Sequence, residues 1–468
     1  MRYYTTKITL SIANTLGSIN RMSESTSIVH QMEQVKERVS EVLTLAKSLG
    51  ADGAEVAMSK QQGLSVSTRL GDVETVEFTS DGALGITVYK EGRKGSASTA
   101  DLSDGALKQT VQAAVNIADY TSEDKFSGLA DKDRLAMEPE DLDLHHYHPL
   151  TTDEAIEIAK RCENTALGFD ERCTNSDGAT LASYEGFKVY GNSHGQLVGY
   201  PSSRHSLSCV MIASEGEDMQ RDYAYTVNRD FNLLDSAESV GEQSAKEALS
   251  RLNARKIDTG KFPVMFRADI ANTFWGHFIA AISGGNLYRK SSFLLDALGD
   301  QIFPDFLTID ERPHLKKALA SSAFDSEGVA TSDMGIIKDG QLATYLLTSY
   351  SARKLGMETT GHAGGIHNWI VSANGGDFEA MLKQLGTGLL VTELMGQGVN
   401  VVTGDYSRGA AGFWVENGVI QYPVSEITIA GKLQDMFKGI VSVGTDTDLR
   451  GSIRTGSIIL EEMQIAGN

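Results

Sequence analysis

Apolar residues near the start of the chain recur at the spacing of an α-helix. The stripe runs from about Ile28 to Leu49, and Gly50 is placed to end the helix. Two alternating segments follow, GLSVSTRLGDVETVEF and GALGITVYKEGRKGSAST, which Gly71-Asp72 and Glu91-Gly92 interrupt. Alternation broken by such pairs predicts antiparallel hairpins, and helical spacing returns from Asp101 to Tyr120. We therefore expect the chain to open with an α+β unit.

A second unit should begin after an acidic, aperiodic connector, DKDRLAMEPEDLDLHHYHPL. Thr152 is expected to cap the next helix, with Asp153 and Glu154 in its first turn. Beyond that helix, YEGFKVYGNSHGQLVGY and HSLSCVMIAS alternate like strands, and a polar helix runs from about Asp235 to Leu252.

The rest of the chain consists of glycine-punctuated strands with a few helices. Asp339-Gly340 and Asn417-Gly418 are strong hairpin signals, so this part predicts a large, curved, mostly antiparallel sheet. The expected fold class is α+β, with N-terminal α/β sandwich-like units followed by a β-rich C-terminal domain. The predicted divisions are a disordered or over-called extension at 1–24, an N-terminal α+β domain at 25–140, a central domain at 141–255 and a C-terminal domain at 256–468.

Charge and hydropathy exclude two classes of partner. The chain has 42 Lys and Arg against 62 Asp and Glu, and a net charge of −20 is the wrong sign for neutralising phosphates, so we expect no nucleic-acid partner. No apolar run approaches the length of a membrane span, so we expect no membrane association. Cys162, Cys173 and Cys209 match neither a zinc ribbon nor a disulfide framework, and the first 21 residues contain no signal-peptide apolar core. We therefore expect a cytoplasmic protein, with Met22 as an alternative start.

One segment satisfies a nucleophile pattern. GNSHG, residues 191–195, has the form G-x-S-x-G and places His194 beside Ser193. A serine hydrolase must therefore be considered. The nucleophile elbow needs a helix after the serine, whereas strand-like sequence lies on both sides here. We interpret GNSHG as a turn.

Two histidine clusters are candidate sites. His145, His146 and His148 lie close to acidic residues and are chemically able to hold a divalent ion, but adjacent side chains diverge and we expect a solvated loop. TGHAGGIHNW places His362 and His367 five residues apart across glycines. A structural turn is favoured there, and a loop that contacts a peptide is the alternative.

WGHFIAAISGG, residues 275–285, has one histidine on an apolar, helical stretch. A zinc peptidase helix needs a second histidine about one turn on and a glutamate beside the first. His277 is followed by Phe278, with Ala280 and Ala281 where a second ligand would stand. We expect His277 to be a core or interface residue with a hydrogen bond.

The longer segments resemble a known family, the TldD/PmbA proteins, in its PmbA (TldE) branch. The resemblance extends from about residue 35 to the end, and segments that carry it include VSTRLGDVETVEFTSDGALGITVY, YRKSSFLLD, FDSEGV, LLTSYSARKLG, TGHAGGIHNW, VTELMGQGVN and TGDYSRGAAGFWVENG. It implies a cytoplasmic bacterial peptidase in which two homologous subunits pair. The family is associated with trimming unfolded peptides, removing the leader of peptide antibiotics and degrading an antitoxin.

The resemblance also implies where zinc should bind. TldD-type subunits carry H-E-x-x-x-H on a helix and a later cysteine, and this chain places Gly276, His277 and Ala281 at the first three ligand or catalytic positions. None of them matches, and no cysteine follows Cys209. We therefore expect no metal in this chain and zinc in a TldD-type partner.

Three hypotheses remain open. The leading one is a non-catalytic subunit of a zinc peptidase, with His277, His362 and His367 as candidate peptide contacts and with a homodimer possible when the partner is absent. The second is a metal-free regulatory or peptide-binding protein that acts without a hydrolase partner. The third is a metallopeptidase in its own right, with ligands gathered from the same three histidines.

Overall fold

The computed structural model of the protein describes residues 27–467. The predicted extension at residues 1–24 lies outside the described residues. The helices are α1 Ile28–Ser48, α2 Asp104–Tyr120, α3 Thr152–Leu167, α4 Ala237–Ser250, α5 Ala268–Ala281, α6 Gly284–Tyr288, α7 Ser349–Leu355, α8 Phe378–Leu385 and α9 Leu433–Lys438. The strands are β1 Gly53–Arg69, β2 Asp72–Lys90, β3 Arg93–Thr99, β4 Cys173–Asn192, β5 Leu197–Glu215, β6 Asp218–Asn228, β7 Gly260–Phe266, β8 Ile309–Glu311, β9 Met334–Lys338, β10 Gln341–Leu342, β11 Trp369–Val371, β12 Gly388–Met395, β13 Val399–Asn400, β14 Asp405–Glu416, β15 Val419–Lys432, β16 Ile440–Val443, β17 Ile453–Arg454 and β18 Ile458–Ala466.

One six-stranded antiparallel sheet, in the order β3-β2-β1-β4-β5-β6, takes strands from both sides of the predicted boundary near residue 140. Val56 packs in a core with α1 and α2, whereas Val66 packs in a core with α3 and α4. The two valines are an even number of residues apart in one strand, so both side chains leave the same face of the sheet. The four helices therefore cover one face. Tyr190 leaves the other face and packs against Phe324 of the C-terminal part.

The predicted first hairpin is confirmed, but its turn is displaced by one residue. Arg69 pairs with Asp72, so the loop residues are Leu70 and Gly71, with φ of 51° and 81°. The prediction of Gly71-Asp72 was wrong because Asp72 already belongs to the strand. The main-chain N–H groups of both loop residues donate to the buried carboxylate of Glu163, which stabilises the turn.

The helix after the connector begins one residue earlier than expected. Thr151 is the N-cap instead of Thr152, and its hydroxyl and the Glu154 carboxylate form a reciprocal capping box. Helices α1, α2 and α4 lie where the apolar spacing predicted them, within the few residues by which helix ends vary.

The C-terminal part is β-rich and mostly antiparallel, as predicted, but it contains two sheets instead of one. A five-stranded sheet has the order β10-β9-β8-β11-β17. In the other sheet β12 pairs with both β7 and β14, which closes the ring β12-β7-β18-β15-β14. Both predicted hairpin turns are present, at Asp339-Gly340 and at Asn417-Gly418, with positive φ at each central residue.

Helix α5 lies at the centre of the largest core. Trp275 and Phe278 are fully buried and contact the rings of Phe303, Trp369 and Phe437, with centroid separations of 4.9–6.1 Å. This aromatic packing, edge-to-face for Phe278 and tilted for Trp275 on Phe303, fixes the rotation of α5 about its axis. Among residues 27–467, no helix is long and apolar enough to cross a membrane.

Candidate functional site

Helix α5 presents the three positions at which the resemblance places zinc chemistry. Gly276 has no side chain, and a Cβ built there would meet no atom within 4 Å. Ala281 is fully buried in the core. Neither residue carries an atom that can ligate a metal.

His277 does not make the hydrogen bond that we expected. Its Nε2 is buried and has no partner among the described residues, while its ring stands edge-on to the ring of Tyr406 at 5.8 Å. Burial, together with the positive charge of Arg408, lowers the pKa of His277 to about 4. The imidazole is therefore neutral at physiological pH.

His362 and His367 converge on Glu311, which the sequence did not single out. The His362 Nε2 is hydrogen-bonded to Glu311 Oε2, and the His367 Nδ1 lies 3.5 Å from Glu311 Oε1. The Glu311 and His362 side chains are only 2% and 3% exposed. This group is the one set of His, Cys, Asp or Glu side chains at metal-ligand spacing within residues 27–467, and it does not include His277.

Most of the nitrogen and oxygen atoms with which this Glu311 cluster could bind a metal already take part in hydrogen bonds. The main-chain N–H of His367 donates to Glu311 Oε1, and Thr360 Oγ1 lies 2.8 Å from His362 Nδ1. Although burial alone would raise the pKa of Glu311, hydrogen bonds from both histidines lower it to about 2. Two histidines and a glutamate are a donor set that zinc accepts, but a catalytic zinc also needs an open coordination position. The geometry is that of a buried, charge-assisted hydrogen-bond network.

The three histidines of the connector are not in a solvated loop, and this expectation was wrong. His145 Nε2 lies 2.9 Å from Glu185 Oε2, and the ring of His148 stacks on Phe231 with centroids 3.9 Å apart. The main-chain N–H of His146 donates to a serine hydroxyl of β5 at 2.8 Å. Buried leucines within the acidic run anchor the connector on the sheet.

GNSHG is a turn between β4 and β5, as interpreted, with no helix after the serine. The Ser193 hydroxyl accepts the main-chain N–H of Ala54 at 2.9 Å. This contact ties the turn to β1 and gives the hydroxyl a structural role.

A cleft of about 1050 Å³ lies between the six-stranded sheet and the C-terminal part. We call it the β6 cleft; residues that line it include Arg221, Tyr223 and Tyr225 of β6, Asn272 of α5, and Asp446 and Arg450 of the loop before β17. Strand β6 ends the sheet order, so one of its edges has no neighbouring strand. Side chains bond two main-chain groups of that strand: Asp222 accepts the Tyr223 N–H at 2.8 Å, and Arg450 donates to the Tyr225 carbonyl at 3.3 Å.

Glu311 escaped prediction for a reason that the sequence partly reveals. It follows alternating apolar residues in LTIDE, and Ile309 and Glu311 therefore point to the same face of β8. An acidic residue at a buried position of a strand requires buried partners. Nothing local identifies those partners as His362 and His367.

Three domain models of one protein family match successive parts of this chain. Models of the PmbA/TldA metallopeptidase match as domain 1 at residues 54–118, the central domain at 145–252 and the C-terminal domain at 259–467. The metalloprotease PmbA of Escherichia coli O157:H7 is 58% identical over 95% of this chain and all of that protein. The chain belongs to the PmbA branch of the PmbA/TldD metallopeptidase family. A PmbA homologue of Haemophilus influenzae is 56% identical over 95% of this chain and 99% of its own length.

Solved structures in this family share the architecture. A Bacteroides thetaiotaomicron protein, described as a candidate modulator of DNA gyrase, superimposes with a TM-score of 0.89 at 29% identity, over 93% of this chain and 99% of that one. TldE of Thermococcus kodakarensis gives a TM-score of 0.77 at 20% identity, over 92% of this chain and all of that one. At that identity the likeness concerns the fold alone.

Proposed function

We propose that this chain is the PmbA (TldE)-type subunit of a two-subunit zinc peptidase that hydrolyses unfolded peptides in the cytoplasm. A homologous TldD-type subunit, bearing H-E-x-x-x-H, would hold the zinc and supply the hydrolytic chemistry. The observation that carries the proposal is the identity of the residues on α5, where Gly276 and Ala281 have no ligand atoms.

The side chains on α5 support placing the zinc in the sibling subunit. Zinc requires three or four nitrogen, oxygen or sulfur ligands, and His277 is the one residue at these positions that has a candidate ligand atom. The residues present on α5 therefore do not fit the metal. The hydrolytic chemistry is therefore assigned to the sibling subunit.

The β6 cleft supports a role in holding substrate. A free sheet edge binds an extended peptide through main-chain hydrogen bonds, which suits unfolded chains of varied sequence. The side chains of Asp222 and Arg450 now occupy edge groups that a peptide strand would pair with. The first half of α5 lines the same cleft, so a peptide on β6 would lie beside the helix that carries zinc in the sibling.

Leader segments of peptide antibiotics and a labile antitoxin are the substrates that we propose, because the family resemblance associates its members with both. A homodimer of this chain is possible when the sibling is absent, because paired homologous subunits often share a self-complementary surface.

A mixing experiment tests the partnership. We expect cleavage of an unfolded reporter peptide when the purified chain and its TldD-type sibling are combined in equal amounts, and loss of that cleavage with EDTA. Each subunit alone serves as the control. If the mixture cleaves no faster than the sibling alone, a metal-free peptide-binding role without a hydrolase partner becomes the better account.

Zinc analysis of the lone chain tests the other alternative. We expect less than stoichiometric zinc after purification without chelators. One zinc per chain, lost on substitution of His362 or His367, would instead indicate a metal centre at the Glu311 cluster.

A further inference from the structure

A second cavity lies where the open face of the six-stranded sheet meets the loops of the C-terminal part. It has a volume of about 420 Å³, within the range of small-molecule sites, and we call it the junction cavity. Its lining includes the aromatic side chains of Tyr190, Tyr200 and Phe324, and the charged side chains of Arg229 and Asp325. It shares no lining residue with the β6 cleft.

Asp325 brings a buried carboxylate to this cavity. Its residue is 4% exposed, and its carboxylate accepts three main-chain N–H groups, those of Glu327, Val329 and Ala363, at 2.8–3.0 Å. Burial and the negative charge of Glu327 raise the pKa of this carboxyl to about 6, although the main-chain donors act to lower it. The three main-chain donors therefore fix the carboxylate in position.

Arg229 brings a positive charge to the same cavity, and it too is hydrogen-bonded to the main chain. Its guanidinium donates to the main-chain carbonyls of Ser203, Ala318 and Leu319 at 2.8–3.1 Å. A guanidinium has five N–H groups, so two remain for a ligand. Burial lowers the pKa of Arg229, and the positive charge of Arg204 lowers it further.

Separated charges of this kind match a ligand that carries both signs. We propose that the junction cavity binds a short peptide with free ends, its ammonium group at Asp325 and its carboxylate at Arg229. The hydrogen bonds of both groups described above go to uncharged main-chain groups, so a ligand carrying both signs would add a charge-assisted hydrogen bond at each end while the aromatic walls contact its side chains. Binding at this site would be a property of this chain alone, so it does not depend on the partnership proposed above.

Calorimetric titration of the purified full-length chain with the dipeptide alanyl-tyrosine tests the proposal. We expect saturable binding, weakened about ten-fold or more by acetylation of the amino end and to a similar degree by amidation of the carboxyl end. A peptide blocked at both ends should give no measurable heat. Equal affinity of free and blocked peptides, or no binding of the free dipeptide at millimolar concentration, would overturn the assignment.

Two variants assign the ends of the ligand to residues. Asp325→Asn should abolish the preference for a free amino end, and Arg229→Gln the preference for a free carboxyl end. Asp81→Asn and Arg69→Gln, exposed positions of the same sheet outside the cavity lining, are matched controls that should bind as the unmodified chain does. Unchanged preferences in folded Asp325→Asn and Arg229→Gln proteins would refute the proposal. If either variant fails to melt cooperatively, the blocked-peptide series on the unmodified chain decides the question.

Discussion

Removal of the charge on Glu311 should be among the most destabilising polar substitutions in the C-terminal part. The pKa of this carboxyl falls from an ordinary 4.5 to about 2 in the folded protein. At about 1.4 kcal/mol for each pH unit, this difference corresponds to about 3 kcal/mol of stability. Loss of one member of a buried charged network costs about 3–5 kcal/mol, so the two measures agree.

The substitution Glu311→Gln keeps the shape of the side chain and removes the charge that His362 and the His367 main chain recognise. Urea unfolding followed by tryptophan fluorescence suits the test, because the tryptophans, Trp275, Trp369 and Trp414, all lie in the C-terminal part. We expect a loss of about 3 kcal/mol at pH 7. The matched control Glu358→Gln, at a carboxylate 79% exposed in its ion pair with Arg134, should cost less than about 1 kcal/mol.

The pH dependence of this difference has a definite sign. Because folding lowers the pKa of Glu311, its contribution is complete above the unfolded value of about 4.5 and is lost as the pH falls toward 2. The gap between the unmodified chain and Glu311→Gln should therefore narrow by about 1 kcal/mol between pH 7 and pH 4. A gap below about 1 kcal/mol at pH 7, or one that widens on acidification, would refute the reasoning.

Three further predictions concern α5 and the β6 cleft. The imidazole of His277 should titrate near pH 4 by NMR, and a pKa near 6.5 would contradict its burial beside Arg408. Gly276→Ala should stabilise the protein by up to about 1 kcal/mol in urea, because a Cβ there meets open space in a helix, whereas Gly284→Ala, where a Cβ would lie 2.3 Å from a serine oxygen, should destabilise it. Tyr225→Pro should slow peptide cleavage in the two-subunit mixture without changing the melting temperature by more than a few degrees, since it removes an outward edge N–H; unchanged cleavage would argue against strand pairing on β6.

Local conformations were the part of the fold that the amino-acid pattern predicted well. The turns at Asp339-Gly340 and Asn417-Gly418 depend on residues that tolerate positive φ, and that preference acts without distant contacts. The one-residue error at Leu70-Gly71 has the opposite origin. There a leucine adopts φ of 51° because a buried carboxylate from α3 binds the loop, which no local rule anticipates.

The connector before α3 shows how composition misleads. Its acidic residues predicted a solvated loop, but Leu142 and Leu144 alternate within it and are 3% and 4% exposed. With both leucines buried, His145 lies against the sheet, 2.9 Å from Glu185 of β4. The many charged residues of the connector drew attention away from a short alternation of apolar residues, which the fold buries.

The sequence by itself determined what the residues on α5 cannot do, because glycine and alanine lack ligand atoms in any fold. It also determined the helices and hairpins whose signals are local. Only the tertiary structure decided where buried charge collects: Glu311 lies 51 residues from His362, and they meet because β8 pairs with β11, with Glu311 opposite Trp369. Such convergence depends on long-range strand register and burial, whereas the chemistry of each side chain is present before the chain folds.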